Sequence, residues 1–178
     1  MRDMFTALLF AMASSGAVAS TPLAPVADLD LERYAGTWHE IARLPMWFQR
    51  KCASDVTAHY VPQSDGTVAV HNACMTAEGK TLSSDGVARR PDAYARAKLQ
   101  VRFAPAWLSW VPLVWADYWV LALDGEYRWA MVGQPGRKYL WILSREPSLD
   151  RATFDDLKAK ATAMGYDLAP LIISGKVD

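Results

Sequence analysis

The sequence predicts an all-β protein with one helix: an eight-stranded up-and-down antiparallel β-barrel with a C-terminal α-helix packed outside. Three observations carry this. Residues 37–144 divide into eight short strand-like segments separated by turn residues. The clearest segment alternates Ala95, Ala97, Leu99, Val101 and Phe103 with Arg96, Lys98, Gln100 and Arg102, giving one apolar and one charged face. After Pro147 the apolar period changes, and Phe154, Leu157, Ala161 and Met164 recur at helical spacing. A train of antiparallel strands joined by short turns closes into a barrel with no free edges, and eight strands enclose room for one small ligand.

The 178 residues suit one domain, and a net charge of zero argues against a general nucleic-acid binder. Residues 1–19 read as a signal peptide. Arg2 precedes an apolar stretch from Met4 to Ala13, too short to span a bilayer, and Ala17-Val18-Ala19 forms an A-x-A cleavage pattern. Asp3 offsets Arg2, and an unstructured N-terminus is the alternative. No cysteine follows the small residues, so the expected product is exported and soluble: periplasmic, in the cell envelope, or secreted. Residues 20–29, rich in Ser, Thr, Pro and Ala, read as a tether, and residues 30–178 as the barrel domain.

The strands follow in order. Thr37 to Leu44 is the first. Ser54 to Val61 and Thr67 to Cys74 form a hairpin about Gln63-Ser64-Asp65-Gly66. Leu82 to Arg90 is a weaker fourth, and residues 95–103 are the fifth. Ala116 to Leu123 turns through Asp124-Gly125 into Tyr127 to Val132, and Gln134-Pro135-Gly136 leads to Tyr139 to Ser144. Asp150 suits the N-cap of the helix and Gly165 its stop. Leu168 to Ile173 is a candidate ninth strand. Cys52 and Cys74 are the only cysteines, and the hairpin brings them to one end of the molecule. In an exported protein such a pair predicts a disulfide; two buried free thiols are the alternative, and zinc lacks His partners at ligand spacing.

Several of these residues resemble a known family. Gly36-Thr37-Trp38 matches the G-x-W signature of lipocalins, and Arg145, closing the eighth strand, matches their lone third-signature Arg. Leu123-Asp124-Gly125-Glu126-Tyr127 lies where lipocalins carry T-D-Y, but lacks the Thr and has two extra residues before Tyr127. GTWHEIARLP, YWVLAL and YLWILSREP are similar to the bacterial lipocalin and apolipoprotein D branch, and the resemblance spans about residues 28–174. It implies a lipocalin fold in which Gly36, Trp38, Asp124, Tyr127 and Arg145 gather at the closed end. Their implied role is structural, with Arg145 over the Trp38 ring.

Turns alternate between barrel ends, so the opposite end receives the loops after strands one, three, five and seven. Two of these are apolar. One is Pro45-Met46-Trp47-Phe48; the other, from Pro105 to Trp115, carries Trp107, Trp110 and Trp115 between Pro105 and Pro112. Met46, Trp47, Phe48, Trp107, Trp110 and Trp115 are therefore expected as an apolar rim that touches a membrane surface, where Trp sits at the interface. A lid folded over the cavity and a homodimer contact are the alternatives.

Alternation assigns Tyr60, Val70, Asn72, Leu99, Val101, Phe103, Tyr118, Val120, Tyr139 and Trp141 to the cup lining, with Val68 beside them. Trp119, Trp129, Met131, Leu140 and Ile142 take the other face, beneath the helix stripe. An apolar lining with a few hydroxyl and amide groups suits an acyl chain with its polar head near the rim. Arg89, Arg90, Arg96, Lys98 and Arg102 read either as the solvated face of two strands or as an attraction for anionic headgroups.

His39, His59 and His71 are scattered, and no nucleophile elbow, zinc-protease helix or phosphate loop occurs. No metal, cofactor or catalytic residue is expected. The expected function is a non-enzymatic carrier of fatty acids, lysophospholipids or similar lipids in storage, transport or membrane maintenance. A haem or pigment carrier is the alternative, as is a lipocalin-fold enzyme acting through Cys52, Tyr60 and His71.

Overall fold

The computed structural model describes residues 23–178. The expected leader, residues 1–19, and the start of the expected tether lie outside the described residues. From Leu23 onward the chain runs against the barrel: the Val26 N–H donates to the Val120 carbonyl at 2.8 Å, and Leu29 is buried. Asp30 then caps a one-turn helix α1 (Leu31–Tyr34), its carboxylate accepting from the N–H groups of Glu32 and Arg33. Composition gave no sign of this helix.

Eight strands follow: β1 (Gly36–Arg43), β2 (Ser54–Pro62), β3 (Val68–Met75), β4 (Thr81–Arg89), β5 (Lys98–Arg102), β6 (Ala116–Leu123), β7 (Trp129–Gly133) and β8 (Leu140–Ser144). Each pairs antiparallel with the next, and β8 pairs with β1, so the sheet closes into a barrel. Beyond the barrel come β9 (Ser148–Leu149), α2 (Arg151–Ala163), β10 (Ile172–Ile173) and β11 (Lys176–Val177). The expected strand from Leu168 shrinks to β10, which pairs with Ala42 and Arg43. Pro170 interrupts the run, and the Leu171 N–H returns to the Leu168 carbonyl as a turn.

Residues directly opposite in an antiparallel pair share a face. Tyr60 faces Val70, and Val70 faces Gly86; Leu99 faces Tyr118, and Val120 faces Val132. These residues point into the barrel, and most join an inner core with Trp38, Val68, Ala130 and Leu143. The opposite faces of β1 and β6–β8 make a second core, where Ile41, Leu121, Met131, Leu140 and Ile142 meet Phe154, Leu157 and Ala161 of α2. The register shifts between Glu40 and Ala42 and between Val120 and Ala122. Each bulge adds a residue to the outer face, Ile41 and Leu121, and so supplies apolar surface for the helix.

The helix ends as its sequence predicts. The Thr153 N–H donates to Asp150 Oδ1 at 2.9 Å, and Gly165 takes a left-handed φ of +85° just past the last turn.

Arg89 and Arg96 are exposed, as a solvated face requires, but Arg102 departs from that reading. Arg102 is buried, donates to the Ala104 carbonyl and lies 5.2 Å from the Trp115 ring centre. Lys98 sits 4.4 Å over Trp119, and Arg89 sits 3.8 Å over Trp115. These basic residues serve as covers for tryptophans, because their long stems pack on rings while their charge meets the ring face.

Candidate functional site: an open cup with an apolar rim

The strand directions set the two ends. The turns after β2, β4 and β6 and the end of β8 lie at one end with α1, while the loops after β1, β3, β5 and β7 surround the other. The interior between them is the candidate site.

The wall carries Tyr60, Val70 and Asn72 from β2 and β3, Leu99 and Val101 from β5, Tyr118 and Val120 from β6, and Trp141 from β8. Phe103 and Tyr139 lie one residue outside their strands, toward the open end. The Phe103 ring stacks over Gly86, where a side chain would approach its Cδ1 to 2.7 Å, so this inner-facing position has room only for glycine. Phe103 stays 42 % exposed, and inner-facing Leu82 on β4 is exposed too. Apolar inner-face residues thus reach solvent on the β4–β5 side of the mouth.

Deeper in, three tyrosine hydroxyls converge. Tyr118 Oη lies 2.8 Å from Tyr34 Oη and 3.0 Å from Tyr60 Oη. Burial raises the pKa of all three phenols, Tyr60 to about 12, so they stay protonated. Asn72 Oδ1 is buried and has no hydrogen-bond partner among the described residues.

Sequence reasoning missed a polar cluster on β1. After the bulge at Ile41, Glu40 and Arg43 both face inward, opposite Leu143 and Trp141, and both are buried. Arg43 Nη1 donates to Glu40 Oε1 at 2.6 Å. Gln49, from the first rim loop, donates to Glu40 Oε2 at 2.9 Å and accepts from Trp141 Nε1 at 3.1 Å. The Ser174 hydroxyl donates to Glu40 Oε1 at 2.6 Å. Each oxygen of the buried Glu40 side chain thus has a polar partner, which offsets the cost of taking it out of water. The bulge alone turns Arg43 inward, and no period in the sequence announces a bulge.

At the rim, Trp47 is 73 % exposed, Trp107 72 %, Trp110 78 % and Leu113 95 %. Phe48 is exposed and starts an aromatic series into the cup, 5.6 Å from Tyr139, which is 6.2 Å from Trp141. Two expected rim residues lie elsewhere. Met46 is only 5 % exposed, because its side chain turns into the fold at the start of a 3₁₀ turn, Trp47–Gln49. Trp115 folds back under Arg89 and Arg102 and donates from Nε1 to the Ser109 carbonyl at 2.8 Å, so it braces the loop. Leu113, between Pro112 and Val114 of the same loop, is an exposed rim residue outside the expected set. Behind the first rim loop, Cys52 and Cys74 form a disulfide with Cα atoms 5.5 Å apart.

Comparison with known proteins agrees with this geometry. A family model described as a lipocalin-like domain matches residues 29–176. The chain belongs to the lipocalin family. It is 43 % identical over 148 residues to temperature-induced lipocalin-1 of Arabidopsis thaliana, covering 82 % of this chain and 78 % of that one. It is 36 % identical over 168 residues to outer membrane lipoprotein Blc of Escherichia coli strain K12, covering 94 % and 90 %. Apolipoprotein D of Rattus norvegicus is 30 % identical over 158 residues, covering 84 % and 79 %. Among solved structures, insecticyanin from Manduca sexta superposes with a TM-score of 0.66 at 23 % identity, covering 90 % of this chain and 92 % of that one; it shares the fold.

In this lipocalin the family signatures meet at the closed end. The Arg145 guanidinium carbon lies 3.9 Å from the Trp38 ring centre. Its nitrogens donate to the carbonyls of Arg33, Thr37 and Tyr127 at 2.7, 3.0 and 3.2 Å. Gly36 begins β1 beside this guanidinium. Asp124 binds Arg128 through both carboxylate oxygens, at 2.8 and 2.9 Å, and that bond lowers its pKa to about 2. Tyr127 accepts from the Asp30 N–H and lies under Arg33. A 390 Å³ cleft nearby is bounded by Asp28, Asp30, Glu32, Arg90 and Arg96, charges that do not suit an apolar ligand. His59 and His71 are exposed, the latter against Asp85 at 2.6 Å. No group of three or more metal-ligating side chains occurs among the described residues.

Proposed function

We propose that this lipocalin is an exported carrier of fatty acids, lysophospholipids or similar lipids in the cell envelope, and that it does no chemistry on them. One observation supports this most: an inner wall of apolar side chains opens to solvent at the end where Trp47, Trp107, Trp110 and Leu113 are exposed together. In this reading the rim rests transiently in a membrane interface, a lipid slides past Phe103 and Leu82, and its chain fills the cup between Val70, Leu99, Val101, Val120 and Trp141. Each buried methylene contributes about 0.8 kcal/mol, so a sixteen-carbon chain gains roughly 12 kcal/mol before ordering costs. The Arabidopsis, bacterial and apolipoprotein D relatives support a carrier, and the name of the Escherichia coli relative supports an envelope setting.

The test is a titration of delipidated protein with hexadecanoic acid and with a lysophospholipid, followed by tryptophan fluorescence, since Trp141 stands in the wall. Saturation at one lipid per protein is expected. No uptake of either lipid would contradict the carrier reading.

A further inference from the structure

The tyrosine trio is short of one acceptor. Three phenols carry three protons, and each hydroxyl contact consumes one. The Tyr34–Tyr118 and Tyr60–Tyr118 contacts consume two, whichever way they run. The third proton has no acceptor among the described residues. Its surroundings are apolar: Leu99 stands opposite Tyr118, Val70 opposite Tyr60, and the Trp38 ring lies 4.8 Å from that of Tyr34. Tyr118 is the hub, and of the three it alone is half-buried rather than buried. Asn72, one inward step from Val70 toward the mouth, holds the complementary deficit, an acceptor oxygen without a donor.

We infer that the deeply buried part of this lipocalin's ligand carries an uncharged oxygen, a hydroxyl or a carbonyl, that accepts the trio's uncommitted proton. The inference rests on the carrier reading and narrows it: the ligand is an oxygenated lipid, and this oxygen is separate from any polar head at the rim. A hydroxyl also has a proton to offer Asn72. An ionised carboxylate does not fit. Burial disfavours an anion there, as it keeps the phenols protonated, and Arg145 lies beyond the Trp38 ring with each of its three nitrogens donating to a backbone carbonyl.

The test uses octadecanoic acid and a panel of octadecanoic acids, each with one keto group between C9 and C17. In the wild-type protein at least one keto position binds about three- to tenfold more tightly than the plain chain. The triple variant Tyr34→Phe/Tyr60→Phe/Tyr118→Phe removes every phenolic proton while keeping ring shape, a replacement that leaves stability near wild type. Within the triple variant the keto chains bind no more tightly than the plain chain, so the preference is lost whatever the affinity for the plain chain. Tyr60→Phe alone leaves two hydroxyls, one contact and one free proton, so it keeps the preference. Should the triple variant not fold, the infrared carbonyl stretch of the tightest keto ligand, bound to wild type, lies below its value in hexadecane. Equal affinities across the panel in wild type, a preference that survives the triple variant, or an unshifted stretch would each overturn the inference. A plain chain that does not bind at all overturns the carrier reading instead.

Discussion

Arg145 caps Trp38: its guanidinium carbon lies 3.9 Å from the ring centre, and its three donor nitrogens hold the carbonyls of Arg33, Thr37 and Tyr127. One side chain thereby joins α1, β1 and the β6–β7 turn and closes the base of the cup. Arg145→Ala removes the cation–π contact and three charge-assisted bonds and is expected to lower stability by about 2–3 kcal/mol in urea unfolding. Arg145→Lys keeps the charge without the fork and restores less than half of that loss.

Asp124 adds a pH dependence to the same end. Its bond to Arg128 lowers its pKa from 3.8 to about 2 in the folded protein. A lowered folded pKa contributes stability that is fully present above the unfolded value and disappears as pH falls through the folded one. The stability difference between wild type and Asp124→Asn is therefore steady above about pH 4 and shrinks between about pH 4 and pH 2. Urea midpoints of both proteins across that range would show it, and a difference independent of pH would contradict the assignment.

Much of this was legible in the sequence. β6 begins and ends where alternation places it, and the Asp150 cap and Gly165 stop bound the helix as their chemistry dictates. The signatures were legible because each is a fixed residue type at a fixed turn. In the wall, what escaped has a single physical cause: alternation assumes a regular strand. The bulge at Ile41 turns Arg43 inward and so hides the Glu40–Arg43–Gln49 cluster from any period-two reading. Rim residues escaped differently. Met46, Trp115 and Leu113 follow no period, and only their contacts decide that the first is buried, the second braced and the third exposed.

The disulfide ties the first rim loop to the mouth end of β3, across 22 residues of sequence. Cys52→Ser/Cys74→Ser is expected to cost about 3 kcal/mol of stability, mainly by freeing the unfolded chain. Lipid affinity should change less than stability, because no strand of the wall depends on the bridge for its pairing. Urea unfolding and lipid titration of one sample separate the two effects.

The rim and its brace should separate as well. Trp107→Ser/Trp110→Ser removes exposed rings and is expected to weaken co-sedimentation with phosphatidylcholine–phosphatidylglycerol vesicles several-fold while leaving thermal stability unchanged. Trp115→Ser removes the surface beneath Arg89 and Arg102 and should lower the melting temperature. Vesicle binding unchanged in the double variant would exclude these tryptophans from membrane contact.

The central claim is that this lipocalin carries a lipid in its cup. Native mass spectrometry of the protein, purified gently from its own cell envelope and followed by extraction of its cargo, tests it most directly. One co-purifying lipid per protein, with an oxygen on its chain apart from the headgroup, is the expected result. A protein that emerges empty and takes up neither fatty acid nor lysophospholipid would contradict the claim.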